Sequence, residues 1–161
     1  MIADWLIALE ATRLARILSD SVWLYPLVNA GHILGIALLI GSIVPLDLRL
    51  LGAWRSVPLA PIWHVLTRTS VAGFVLAAVF GFLLFMTRAT EYAASTLFVF
   101  KLAVMVVAIV NAVVLRRLVP AEISGIGPQV GPPNPRLRLT GGVSLVTWLT
   151  VLVLGRLVGY F

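Results

Sequence analysis

The sequence predicts an all-α, polytopic membrane protein: a four-transmembrane-helix bundle preceded by an amphipathic interfacial helix. Three observations carry this. Of 161 residues, 61% are hydrophobic and only 11% are charged, whereas a soluble domain is nearer half apolar and about a quarter charged. Four runs with little or no charge each reach the roughly 20 residues that cross a hydrocarbon core about 30 Å thick. The Lys and Arg residues gather mainly at the ends of those runs, which is where a chain leaves a bilayer. Residues 1–161 therefore read as a single membrane domain.

Residues 1–20 form the amphipathic element. Ile2, Trp5, Leu6, Leu9, Ile17 and Leu18 fall near one helical face, and Glu10, Arg13, Arg16 and Asp20 recur on another. Asp4 stands where a signal peptide would carry basic residues, so an interfacial helix is expected rather than a cleaved leader. Docking of this helix on a partner subunit is the alternative.

The first span is expected over residues 22–45, with Ser21 as N-cap and Pro45 marking its exit. A second is expected over 61–88. Arg68 and Arg88 bracket its uncharged part, and their 20-residue separation corresponds to about 30 Å of helix. A third is expected over 96–117, closed by Arg116 and Arg117, and a fourth over 138–160. Residues 119–136 are rich in Pro and Gly and read as an extended or polyproline-like loop.

Small residues supply the expected packing surfaces: Gly31 and Gly35 in span one, Ser70, Gly73, Ala77 and Gly81 in span two, and Gly141, Ser144, Gly155 and Gly159 in span four. Basic residues are more numerous in the loops after spans one and three than on the other side. The positive-inside bias puts those loops in the cytoplasm of a bacterial inner membrane and both termini in the periplasm.

An ionisable side chain within a span is costly and is a functional candidate by default. His32 lies ten residues after Val22, about 15 Å into the membrane. Tyr25 and Asn29 precede it at helical spacing, and the Gly31/Gly35 face adjoins them, so the stripe is expected to point into the bundle. Lys101, one turn inside span three, reaches the same outer half. Asn29, His32 and Lys101 form the candidate ligand site, with His32 as the candidate metal ligand; packing for His32 and snorkelling for Lys101 are the structural alternatives.

His64 raises the prospect of a b-type haem held between two histidines. The expected depths of His32 and His64 differ by roughly 20 Å, or near 10 Å if span two starts at Pro61, which opposes that pairing. Copper would need His32 with a methionine, and Met86 and Met105 stand at no HxxM or MxxM spacing. Zero cysteines exclude disulfides, thiolate metal sites and cysteine catalysis. Asp47 and Arg49, at the cytoplasmic end of span one, are expected to pair locally or with Arg55 and Arg68 in a structural helix-end network. No nucleophile, base and orienter combination is visible, which argues against an enzyme. The net charge of +6 reflects membrane anchoring rather than nucleic-acid binding.

The run NAGHILGIALLIGSIVPLDLRLLG, residues 29–52, resembles the signature of an uncharacterised family of bacterial four-helix inner-membrane proteins, and the likeness extends across FKLAVMVVAIVNAVVLRR in span three. More distantly, His32 and its flanking glycines resemble the membrane component of bacterial copper-resistance systems. The family resemblance implies the four-helix fold and no assigned activity. Residues and resemblance together leave three expectations. One is a membrane protein handling a metal ion, proton or redox partner around Asn29, His32 and Lys101. Another is an accessory subunit, contacting lipid and other membrane subunits or copies of itself. The last is a haem or quinone electron-transfer protein.

Overall fold

A computed structural model describes residues 2–123 and 134–160 of the chain. The helices in order are α1 (Ile2–Glu10), α2 (Arg13–Asp20), α3 (Leu24–Leu51), α4 (Leu59–Thr87), α5 (Ala89–Ala94), α6 (Thr96–Ile123) and α7 (Pro135–Leu157), with no strand among the described residues. Four of them, α3, α4, α6 up to Val119, and α7, are long and apolar enough to cross a membrane. The chain is a multi-pass, all-α membrane protein whose outward-facing surface is dominated by exposed Val, Leu, Ile and Phe side chains.

The amino-terminal segment is two helices and not one. Thr12 stops the first and starts the second: its hydroxyl donates to the Leu9 carbonyl at 2.7 Å and accepts from the Ala15 amide at 3.3 Å. The break lets α1 fold onto α5, the short helix between α4 and α6. Glu10 Oε1 accepts from both the amide and the hydroxyl of Thr90, at 2.7 and 2.8 Å, in the first turn of α5. The expected continuous amphipathic helix over 1–20 is thereby corrected: its polar residue Glu10 serves as an anchor, while Trp5 and Ile7 remain exposed.

Span one extends past its expected end. The α-helix continues through Pro45 to Leu51 and stops at Gly52, whose φ of 111° is readily available only to glycine. The stop is a Schellman arrangement: the Gly52 amide donates to the Arg49 carbonyl, and the Ala53 amide to the Leu48 carbonyl. Pro45 lies inside the helix, where it removes one backbone donor without ending it. Spans two and four begin two or three residues earlier than expected. In span three, helix reaches Ile123, taking in the first five residues of the expected 119–136 loop; residues 124–133 of that loop lie outside the described residues.

Val28, His32, Gly35, Leu39, Ser42 and Leu46 recur at spacings of four and three and form a seam along α3. Against α4 the backbones nearly touch. A Cβ on Gly35 would lie 2.4 Å from the Ala77 nitrogen, and one on Gly73 would lie 2.5 Å from the Leu39 nitrogen. Helix α7 packs on α3 and on α6, so α3 and α7 form the central pair of the bundle. The side chains close in two layers. Leu46, Leu50, Trp63, Leu115, Val119 and Leu137 fill the arginine-rich end. Leu39, Ile43, Ala108 and Trp148 fill the middle, where Phe74 meets Trp148 edge to face at 6.1 Å.

Candidate functional site

His32 sits on the α3 seam, half-buried against α4. Its Nδ1 lies 2.7 Å from the Ala77 carbonyl oxygen. A carbonyl can only accept, so Nδ1 carries the hydrogen, and in the neutral ring the lone pair is then on Nε2. Room for the ring comes from Gly81, one turn further along α4: a Cβ there would lie 2.8 Å from His32 Cε1. The small residues of span two thus have two roles, letting the helices meet at Gly73 and opening a slot for the imidazole at Gly81.

Lys101 reaches the same region from α6. Its ammonium lies 5.2 Å from the centroid of the Phe98 ring, and its stem passes Gly155 of α7, where an added Cβ would be 3.9 Å from Lys101 Cδ. It is close enough to His32 for its charge to act on the imidazole. Phe98 in turn stacks on Phe85 at 5.5 Å and lies 5.4 Å from Tyr92. Burial pushes the Tyr92 phenol above its ordinary range, with the neighbouring Tyr25 phenol adding to the effect. Tyr25 also lines an open cleft of about 320 Å³ together with Ser19, Ser21, Thr87 and Arg88.

Of the three expected site residues, His32 lies on the α3 seam, Lys101 is near enough for its charge to reach the ring, and Asn29 lies apart from the seam. Asn29 is exposed. Three residues of helix turn the chain by about 300°, which puts Asn29 on the flank of α3 while His32 stays on the seam. The polar stripe expected to point into the bundle is therefore reduced to His32, with Tyr25 partly exposed near its outer end.

His64 is exposed on α4. It stands 13 residues from Ala77, the level at which His32 is held, and so about 20 Å away along the helix. One chain cannot bring both histidines to one iron. Among the described residues no group of three or more His, Asp and Glu side chains is placed to hold a metal ion. The Lys101 ammonium would also repel a cation brought to His32.

Sequence reasoning placed Asp47 and Arg49 in a structural network at the end of span one, and the structure buries both, at 1% exposure each. Arg49 Nε donates to the Val57 carbonyl at 2.9 Å, tying α3 to the connection that follows it. Asp47 faces Ser144 of α7, and its Oδ2 has no hydrogen-bond partner among the described residues. The signal that could have found them is that helix α3 need not end at Pro45.

Comparisons of the chain with protein-family models, with curated proteins and with solved structures found no match.

Proposed function

We propose that this chain is a bacterial inner-membrane protein that takes up and releases protons at His32, with both termini and the His32 end of the bundle facing the periplasm. The observation that supports this reading best is the bond from His32 Nδ1 to the Ala77 carbonyl. It fixes the ring and leaves Nε2 as a base inside a membrane-spanning helix, where an ionisable group is otherwise costly. Lys101 opposes a divalent ion at His32 more strongly than a single added proton, because the repulsion grows with charge, and so favours a proton or an oxygen-bearing partner over a metal cation. The cleft beside Tyr25 begins seven residues, about 10 Å, from His32 along α3 and offers a polar approach from the outer surface.

Reconstitution into vesicles containing a pH-sensitive dye tests the proposal. With an imposed membrane potential, the wild-type protein is expected to carry protons, and His32→Ala is expected to lose that flux while keeping its fold. Absence of flux in the wild type, together with co-purification of other membrane proteins, would support the accessory-subunit reading instead. A quinone partner, which would present a carbonyl to Lys101 and, once reduced to the quinol, an O–H to Nε2, predicts extractable quinone in the purified wild type and its loss in Lys101→Met.

A further inference from the structure

At the opposite end of α3, Asp47 is shut inside the bundle at 1% exposure. Gly141 lets α7 approach there: a Cβ on it would lie 2.9 Å from Leu50 Cβ and 3.5 Å from the Asp47 carbonyl oxygen. One turn along α7 the buried Ser144 faces the Asp47 carboxyl. One turn further stands Trp148, also buried, whose indole N–H has no acceptor among the described residues. Leu46, Leu50, Trp63, Val119 and Leu137 close the apolar layer at this end.

Apart from the buried Arg49, the charge on the helices packed around Asp47 faces outward. Packed around Asp47, α4 carries His64 and Arg68, α6 carries Arg116 and Arg117, and α7 carries Arg136 and Arg138; all six are exposed. Arg49, on Asp47's own helix, directs its Nε to the Val57 carbonyl. An ionised carboxylate accepts hydrogen bonds at both oxygens and is strongly disfavoured where one is buried and unmatched. A neutral acid has no charge to desolvate, which is the larger cost, and its O–H becomes a donor.

We propose that Asp47 is a proton-binding site of the folded protein: its carboxyl holds a proton at neutral pH, with Ser144 beside it on α7. The site does not depend on the reading of His32. It adds a second protonatable group on the same helix, 15 residues or about 22 Å from the first.

Infrared spectroscopy of the full-length protein in lipid vesicles, grown with carbon-13 at the aspartate side-chain carboxyl, tests this. The chain has three aspartates, Asp4, Asp20 and Asp47, and the first two are exposed. The expected result is a protonated-acid carbonyl band at neutral pH that shifts with the label and in heavy water and is lost in Asp47→Asn. The proposal is overturned by a wild-type spectrum with no label-sensitive protonated-acid band, or by a band that survives in Asp47→Asn. Because the label reads the wild-type protein, the outcome is decided even where that variant fails to fold.

Discussion

The imidazole of His32 occupies the space that a side chain at Gly81 would take, with an added Cβ only 2.8 Å from His32 Cε1. The contact is with the movable edge of a side chain, so Gly81→Ala is expected to displace the ring and leave the helices in place. Displacing the ring loosens its bond to the Ala77 carbonyl, so the stability loss should be about 1 kcal/mol, the usual net worth of one hydrogen bond. Proton flux in vesicles should nevertheless fall towards that of His32→Ala. A Gly81→Ala protein with full flux would show that the slot is not needed.

Gly35 and Gly73 behave differently because their close neighbours are backbone atoms, which cannot move alone. A Cβ at Gly35 meets the Ala77 nitrogen at 2.4 Å, so Gly35→Ala must push α3 and α4 apart. A loss of roughly 1–3 kcal/mol is expected, the usual cost of overpacking, read as a lower unfolding midpoint in detergent. Gly41 has nothing within 4 Å of an added Cβ. Gly41→Ala should be neutral, or stabilising by up to about 1 kcal/mol through helix propensity.

The Glu10 contact to Thr90 predicts a pH dependence. Two hydrogen bonds from Thr90 hold the Glu10 carboxyl below its ordinary value of 4.5. A carboxyl depressed in the folded state contributes stability above the unfolded value, and that contribution is lost as pH falls through the lower, folded value. Docking of α1 should therefore weaken on acidification below pH 4.5. Protease cleavage near Ala11 reports it, and Glu10→Gln should already be cleaved faster at neutral pH.

The two histidines should separate cleanly. His64 is exposed, so His64→Ala should change stability by no more than about 0.5 kcal/mol and leave proton flux intact. Visible absorption of the purified wild-type protein should show no haem band that depends on both histidines, given their separation of about 20 Å along α4. Equal loss of function in His32→Ala and His64→Ala would overturn the assignment of the site to His32.

Much of this architecture was legible because lipid imposes simple demands. Apolar length located the four spans, and the small-residue stripes located the face at which α3 meets α4. What the sequence concealed came from local competition. Pro45 reads as a stop, yet the helix continues through it to Leu51, and that extra length is what draws Asp47 and Arg49 inside. Residues 1–20 read as one amphipathic helix, yet the Thr12 cap divides them. Asn29 looked like a partner of His32 because it is nearly one turn away, but the seam's spacing of four and three leaves it on the flank. The pairing of His32 with the Ala77 carbonyl depends on a contact 45 residues apart and could not be read from either segment alone.

The central claim is that His32 presents Nε2 as the basic nitrogen, and nitrogen-15 NMR of histidine-labelled protein in bilayers tests it most directly. The chain has two histidines, so the His64→Gln variant leaves His32 as the source of every imidazole signal. At neutral pH the account predicts one signal from a protonated Nδ1 hydrogen-bonded to a carbonyl and one from an unprotonated Nε2. A proton on Nε2 with a bare Nδ1 would contradict it.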